Sequence, residues 1–282
     1  WDALHHPLAS PDPVDPAAVE QRLKADLSRE IAAVMVVQVD TATSVRNDIP
    51  AIRAAIDAAG HPALLMVDCI ASLACEPYEH DDWGVDITVA ATQKGLMVPP
   101  GLGFVFPSEK ATAAYKSADL RTGYFDCCFR IHPDEHSKIY CGTPPVQHLW
   151  GMREALDMLF EEGLENVWNR HRILADAVRS AVQAWKTEDG FSFNVTEPES
   201  RSNSVTTVLT GDVDATELRR IAEQEAGVTL GIGLAEFADR AIRIGHMGHL
   251  NPPMILGTIG TIEAALTKMG APMGGSGSAA AA

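Results

Sequence analysis

Apolar positions change their period several times along the chain, and each change predicts an element. After Asp15-Pro16, Val19, Leu23 and Leu27 recur at every fourth position, which predicts a helix with proline in its first turn. Ala32 to Val39 (AAVMVVQV) is an unbroken apolar run, the signature of a buried strand in a parallel sheet. From Asp48 to Gly60 the helical period returns, with Ile52, Ala55 and Ile56 on one face and Gly60 as the stop. Two further apolar runs follow, one ending at Asp68 and a more β-branched one ending at Gln93, immediately before Lys94. Gly103–Pro107 predicts one more strand. This β-α-β-α-β rhythm argues for an α/β layered domain.

Beyond Arg121 the pattern loosens through TGYFDCCFRIHPDEHSKIYCGTPPV, a connection of the length that usually carries a task. Thr143 and Pro144 are expected to open a long helix with Leu149, Met152, Leu156 and Leu159 on its stripe, ending at Gly163. A second helix from Glu165 carries Leu174, Val178, Ala181 and Trp185. A strand at 204–210, a helix at 214–225 and a strand at 240–244 then suggest a smaller α+β domain. The expected division is 1–163 for a large domain and 164–282 for a small one. The tail, PMGGSGSAAAA, is expected to start flexible and to end in a helix-prone alanine run.

Composition narrows the functional classes. The 282 residues are 46% hydrophobic and 21% charged, as in an ordinary globular protein. A net charge of -16 disfavours nucleic acid, whose phosphates would be repelled. No run of 18 apolar residues occurs, so no membrane span is expected. The five cysteines, Cys69, Cys75, Cys127, Cys128 and Cys141, form no CxxC and leave an odd thiol, which fits free thiols in a reducing, cytoplasmic compartment. The histidine pairs do not make a metal site. His5-His6 lacks further ligands nearby, and Pro133 breaks the helix face that His132 and His136 would need.

The chemistry concentrates between Asp68 and Lys94. Open α/β sheets bind ligands outside the C-terminal ends of their strands. A carboxylate and an amine at two such ends suit pyridoxal phosphate, which asks for a lysine to form the Schiff base and a carboxylate to keep its ring nitrogen protonated.

Four pieces, VDCIASLA (67–74), WGVDITVAATQKGLMVPPGLGF (83–104), CGTPPV (141–146) and RIGHMG (243–248), resemble the class V, fold-type I aminotransferases. The nearest likeness is to their serine–glyoxylate and alanine–glyoxylate group, and the family's separation of 26 residues between aspartate and lysine is kept. The resemblance implies a pyridoxal-phosphate-binding large domain, built on a mostly parallel sheet between helices, plus a smaller α+β domain. It also implies that the N-terminal third of the family pattern, with its phosphate loop and ring-stacking aromatic, lies upstream of Trp1. On this likeness Lys94 is the covalent lysine and proton shuttle, and Asp68 pairs with the pyridinium nitrogen. Gln93 lies near the cofactor phosphate and Thr41 beside the phenolic oxygen. In the Thr41 loop, Asp40 and Ser44 stand where the family has glutamate and glycine. Tyr140 and Thr143 match residues that reach the phosphate from a second subunit, which implies a homodimer with shared sites. Thr143 as a helix N-cap is the simpler reading of that residue. Arg243 is the candidate for the substrate α-carboxylate, since its planar fork suits a carboxylate. His246 and His249 read as structural, as do Trp83 and Trp150. The implied activity is transfer of an amino group from serine or alanine to glyoxylate or a similar 2-oxo acid, in ping-pong fashion. A cysteine desulfurase or lyase would use a loop thiol, with Cys127 and Cys128 as candidates. A non-catalytic scaffold of the same fold is the remaining alternative.

Overall fold

The computed structural model describes residues 10–120, 122–131 and 133–282. Helix α1 (Pro16–Ala25) starts with Asp15 as N-cap, its carboxylate accepting from the Ala17 amide 2.9 Å away. Val19 and Leu23 are buried, but Leu27 lies past the helix end and is 89% exposed, so the third position of the predicted stripe is outside the core.

Strands β1 (Ala33–Val37), β2 (Leu64–Asp68), β3 (Ile87–Ala91) and β4 (Gly103–Pro107) form one sheet in that order. The first two pairings are parallel and the third is antiparallel. The crossover from β1 to β2 is helix α2 (Ile49–Ala58), capped by Asp48 and buried along Ile49, Ile52, Ala55 and Ile56. It ends at Gly60, whose φ of +57° glycine adopts without strain. Strand β1 is shorter and less buried than its apolar run predicts. Val34 and Val36 pack against α1 and α2, while Met35 is 59% exposed, because these helices cover only one face of the sheet. Strand β3 stops at Ala91, before the predicted Gln93. The Thr92 amide still reaches Leu102 O (3.3 Å), but its hydroxyl donates to Pro99 O (2.9 Å) and its carbonyl accepts from the Val98 amide (3.0 Å), which folds Gln93 and Lys94 into a tight turn.

Helix α3 (Glu109–Ala114), capped by Ser108, and the short α4 (Cys128–Ile131) lead to α5 (Val146–Glu162). Thr143 does not start this helix. Pro145 occupies the N-cap position, and no side chain caps it. The physical reason is the Pro144-Pro145 pair, since the residue before a proline is pushed out of helical conformation. Gly163, at φ +84°, separates α5 from α6 (Leu164–Trp185).

The second sheet is antiparallel throughout. Its strands are β5 (Ser192–Phe193), β6 (Val205–Leu209), β7 (Gly231–Ile232) and β8 (Ala241–Gly245), in the order β5-β6-β8-β7. Helices α6, α7 (Ala215–Ala226), α8 (Pro252–Met269) and α9 (Gly277–Ala281) enclose a core around Trp185, Phe191, Ile242 and Ile259. The tail is docked rather than flexible: Gly277 N–H and the Trp185 indole both donate to Glu263 Oε1, at 2.5 and 3.2 Å. Helix α6 serves two cores. Val167 packs with Leu96, Val98, Met152 and Leu159 beside the Lys94 turn, and from Leu174 onward the same helix belongs to the second core.

Candidate active site

Strands β1, β2 and β3 run in the same direction, so their C-terminal ends open on one side of the first sheet. Asp68 closes β2, paired with Val37 on one side and Val89 on the other. Its backbone carbonyl accepts from the Gln38 amide (2.8 Å), and its Oδ1 accepts from the Ile70 amide (2.8 Å). Among the described residues no donor reaches Oδ2.

Lys94 sits in the turn after β3, half-buried, with its carbonyl closing the turn onto the Met97 amide (3.0 Å). Gly95 is the tightest point of this turn. A Cβ there would lie 2.2 Å from Leu73 O and 2.8 Å from Cys75 Sγ, so the backbone approaches the 69–76 segment as only glycine allows. Among the described residues no acceptor meets the Lys94 amine. Gln93, beside it, is exposed and its side chain makes no hydrogen bond among the described residues.

Arg243 arrives from the second sheet, on β8. Its Nε donates to Ile232 O (2.7 Å) and its Nη1 to Thr41 O (2.9 Å), so two carbonyls fix the guanidinium plane. Nη2 has no partner among the described residues. Burial draws this guanidinium below its ordinary range, and the Asp40 carboxylate opposes that. Thr41 lies in a loop knitted by Asp40, whose Oδ1 accepts from the Ala42 and Thr43 amides (2.8 and 2.7 Å). Ser44 holds a positive φ of 65°, a conformation glycine would take without cost, and its hydroxyl lies 2.6 Å from Thr207 Oγ1 on β6. Thr41 and Arg243, far apart in sequence, are thus brought into direct contact.

A buried polar seam joins the two sheets behind these residues, and it escapes the sequence pattern. Ser72 donates to Gln38 Oε1 (2.6 Å), tying the segment after Asp68 to the end of β1. Glu76 is 2% exposed and accepts from Asn203, from the backbone amide at Oε1 and from Nδ2 at Oε2 (3.0 Å). Burial raises its carboxyl, against the pull of Asn203, Arg46 and Arg179. Arg179 of α6 reaches Ser202 O (2.6 Å) and Asn203 Oδ1 (3.0 Å). His246, fully buried, bridges Asn203 O (2.8 Å) and Thr206 Oγ1 (2.9 Å), and burial pulls its ring down to about 3. The one available sequence signal was an acidic residue closing a run of small and apolar positions, at Ser72-Leu73-Ala74-Cys75-Glu76.

Tyr140 and Thr143 lie on the connection before α5. Thr143 is exposed, and neither residue is hydrogen-bonded to Asp68, Lys94, Gln93, Thr41 or Arg243. Cys69 and Cys75, the described thiols nearest the strand ends, are buried, and burial pushes each up to about 12, which makes them poor nucleophiles. Cys127 and Cys141 are free thiols on the connection, Cys141 exposed. Trp83 packs edge-on against Tyr78, whereas Trp150 is 72% exposed and outside the core. Among the described residues no three His, Cys, Asp or Glu side chains are arranged to hold a metal, and no helix is long and apolar enough to cross a membrane. His5, His6 and His132 lie outside the described residues.

Comparison with known proteins gives a consistent result. The family model described as aminotransferase class-V matches residues 14–238. A serine–glyoxylate aminotransferase of Methylorubrum extorquens is 44% identical over 275 residues, covering 94% of this chain and 67% of the relative. An L-aspartate–glyoxylate aminotransferase of Paracoccus denitrificans is 40% identical, covering 93% of this chain and 65% of the relative. The crystal structure of a pyridoxamine–pyruvate aminotransferase from Mesorhizobium loti superposes with a TM-score of 0.84 at 32% identity, over 95% of this chain and 68% of that one. The chain therefore spans about two thirds of the length of the relatives it matches. On a match that runs from just before α1 to just before β8 and on these identities, the chain belongs to the class-V aminotransferases and has their pyridoxal-phosphate-enzyme fold of type I.

Proposed function

We propose that the open strand ends are the working part of a pyridoxal-phosphate-dependent aminotransferase. It would move an amino group from a small amino acid, serine or alanine, to glyoxylate or a similar 2-oxo acid. Membership of the family implies the cofactor, and the residues fit it. A carboxylate oxygen without a donor, an amine without an acceptor and a guanidinium nitrogen without a partner face the demands of a protonated ring nitrogen, an aldehyde and a substrate carboxylate. The observation that carries the reading is the first pair: Asp68 Oδ2 and the Lys94 amine are both unengaged at neighbouring strand ends, among the described residues.

When bound, the cofactor supplies an electron sink for the bond broken at the substrate Cα. Asp68 would pair with the ring nitrogen and favour its protonated form, and its Oδ1 bond to the Ile70 amide holds the carboxylate with Oδ2 free for that task. Lys94 would be the residue that holds the cofactor and whose amine carries the proton released at the substrate Cα. Arg243 holds the α-carboxylate through Nη2, while its bonds to Ile232 O and Thr41 O keep the plane from swinging. Gln93 and Thr41 would contact the cofactor's phosphate and phenolic oxygen. Tyr140 and Thr143 would serve the phosphate of a partner's site in a homodimer, which accords with the lack of a hydrogen bond between them and the other site residues. The division near Gly163 would separate a cofactor-binding domain from a small domain that supplies Arg243, and the free thiols fit a cytoplasmic setting.

The test is a spectroscopic titration of the 282-residue chain with pyridoxal phosphate, before and after serine. A cofactor band that bleaches on adding serine, alanine or aspartate supports the reading and ranks the donors. A protein that binds cofactor yet leaves the band unchanged with every amino acid tried would remove the aminotransferase assignment.

A further inference from the structure

Gly248 lies directly behind the Lys94 turn. A Cβ on it would sit 3.3 Å from Met97 Cγ and 3.9 Å from Lys94 O, and its φ of +88° is one that glycine tolerates. Both of its backbone polar groups are gripped by adjacent residues of α6. The amide donates to His171 Nε2 (3.0 Å), and the carbonyl accepts from Arg170 Nη1 (2.8 Å). Arg170 is itself held by Glu162 at the end of α5, Nε to Oε1 at 2.6 Å and Nη2 to Oε2 at 2.9 Å.

The partners determine the state of the His171 ring. Its Nδ1 lies 2.7 Å from Val167 O, which can only accept, so Nδ1 carries the proton. The Gly248 amide can only donate, so Nε2 is bare. This ring is fully buried, and burial lowers its pKa, which keeps it in that neutral tautomer. A leucine would fill this interior position without the cost of burying polar atoms. Outside its own helix turn, the ring's one hydrogen bond among the described residues is to Gly248, the residue on which the Lys94 turn rests. The Cys75 thiol, against the same glycine backbone and beside Gly95, completes the support.

We propose that His171 and Arg170 are positioning residues for Lys94. By clamping the amide and carbonyl of Gly248 they fix the platform under the Lys94 turn, and with it the line along which the amine enters the site. The inference rests on the assignment of Lys94 made above, but its first test does not depend on cofactor.

That test is amide hydrogen exchange of the full 282-residue chain without cofactor. His171→Leu removes the acceptor for Gly248 and keeps the volume. Exchange across residues 95–99, whose Met97 and Val98 amides donate to Lys94 O and Thr92 O, is expected to quicken about tenfold. Strand β6 and the second half of α6 should keep their wild-type rates. His171→Gln, whose side-chain oxygen can accept from Gly248, should restore slow exchange at 95–99. Should His171→Leu fail to fold, Arg170→Met removes the side-chain donor to the Gly248 carbonyl, together with the Glu162 pair and the bond to Leu250 O (3.3 Å), at a partly exposed position, and must show the same local effect. In parallel, borohydride trapping with pyridoxal phosphate should label Lys94 more slowly in the leucine variant and recover in the glutamine one. A wild type that never labels at Lys94 would remove the functional assignment, while the exchange data still decide the clamp. Unchanged exchange at 95–99 overturns the proposal. So do equal behaviour of the leucine and glutamine variants and faster exchange spread evenly over the chain.

Discussion

The two ends of the first sheet treat a carboxylate in opposite ways. At the N-terminal end of β3, Asp86 is buried and its oxygens are fully engaged. Oδ2 accepts from the Leu65 amide (2.9 Å) and Lys110 Nζ (3.2 Å), Oδ1 accepts from Ser108 Oγ (3.1 Å), and Arg53 stands 3.7 Å away. Lys110 is tied down in turn by Ala63 O (3.0 Å). At the other end, Asp68 has one bond to a neighbouring amide and one oxygen without a donor, and Lys94 has an amine without an acceptor, among the described residues. A saturated carboxylate holds strands and loops together. An open one is available to something that is not protein, which is why the second end, and not the more heavily charged first, is the candidate site.

The comparison can be broken most sharply at Lys94. Lys94→Ala should lower the amino-transfer half-reaction by on the order of 10²–10⁴-fold and leave the thermal midpoint unchanged, read by stopped-flow spectra and calorimetry on the same samples. Asp86→Ala should do the reverse. Leaving the Leu65 amide and the Ser108 hydroxyl without their buried acceptor costs about 1–3 kcal/mol, visible as a lower urea midpoint, with little loss of the cofactor spectrum in the protein that remains folded. Asp68→Asn keeps an acceptor for the Ile70 amide, so its stability should change by less than about 1 kcal/mol. Loss of its charge should nevertheless slow the half-reaction on the order of 10²-fold.

Acid titration gives a smaller effect. His246 and His171 are both held below their ordinary range by burial. The unfolded chain therefore binds protons below pH 6.5 that the folded chain refuses, and stability falls as pH drops, by about 1.4 kcal/mol per pH unit for each ring. For His246 this continues towards about pH 3. Glu76 works against it. Its raised carboxyl takes up a proton in the folded state while the unfolded one is still charged, so folding gains as pH falls towards 4.5. His246→Asn, which can still donate to Asn203 O, should flatten the acid limb in urea titrations between pH 6.5 and 4, and an unaltered limb would mean that His246 does not set it. The smallest effect is expected for Arg153→Ala. Its pair with Asp157 (2.9 Å) is exposed on both sides, and its loss should cost less than about 0.5 kcal/mol.

The sequence made the open end legible for a definite reason. Strand-length apolar runs that stop at a charge mark where a strand leaves the core, and both Asp68 and Lys94 are marked that way. Proline in the first turn and the helical apolar period placed three helix starts within a residue, at Asp15, Asp48 and Asp214, each of which the structure shows as the N-cap. The start of α5 was also written in the chain, as Pro144-Pro145, but Thr143 looked like a better cap than those prolines permit. The exposure of Met35 could not be read, because an unbroken apolar run does not say how many faces of a sheet are covered. The seam was hidden by distance: Glu76 meets Asn203 across 127 residues, and His171 reaches Gly248 across 77. Each looks like an ordinary polar position until the two sheets are brought together, since pairing of that range has no local period.

The central claim is that Lys94, at the end of β3, is left open for covalent chemistry. Incubation of the chain with pyridoxal phosphate, reduction with borohydride and peptide mapping tests it directly. The account predicts a single dominant adduct on Lys94 that is lost in Lys94→Ala and weakened in Asp68→Asn. Adducts scattered over surface lysines such as Lys24, Lys110 and Lys268, with none enriched at Lys94, would contradict it.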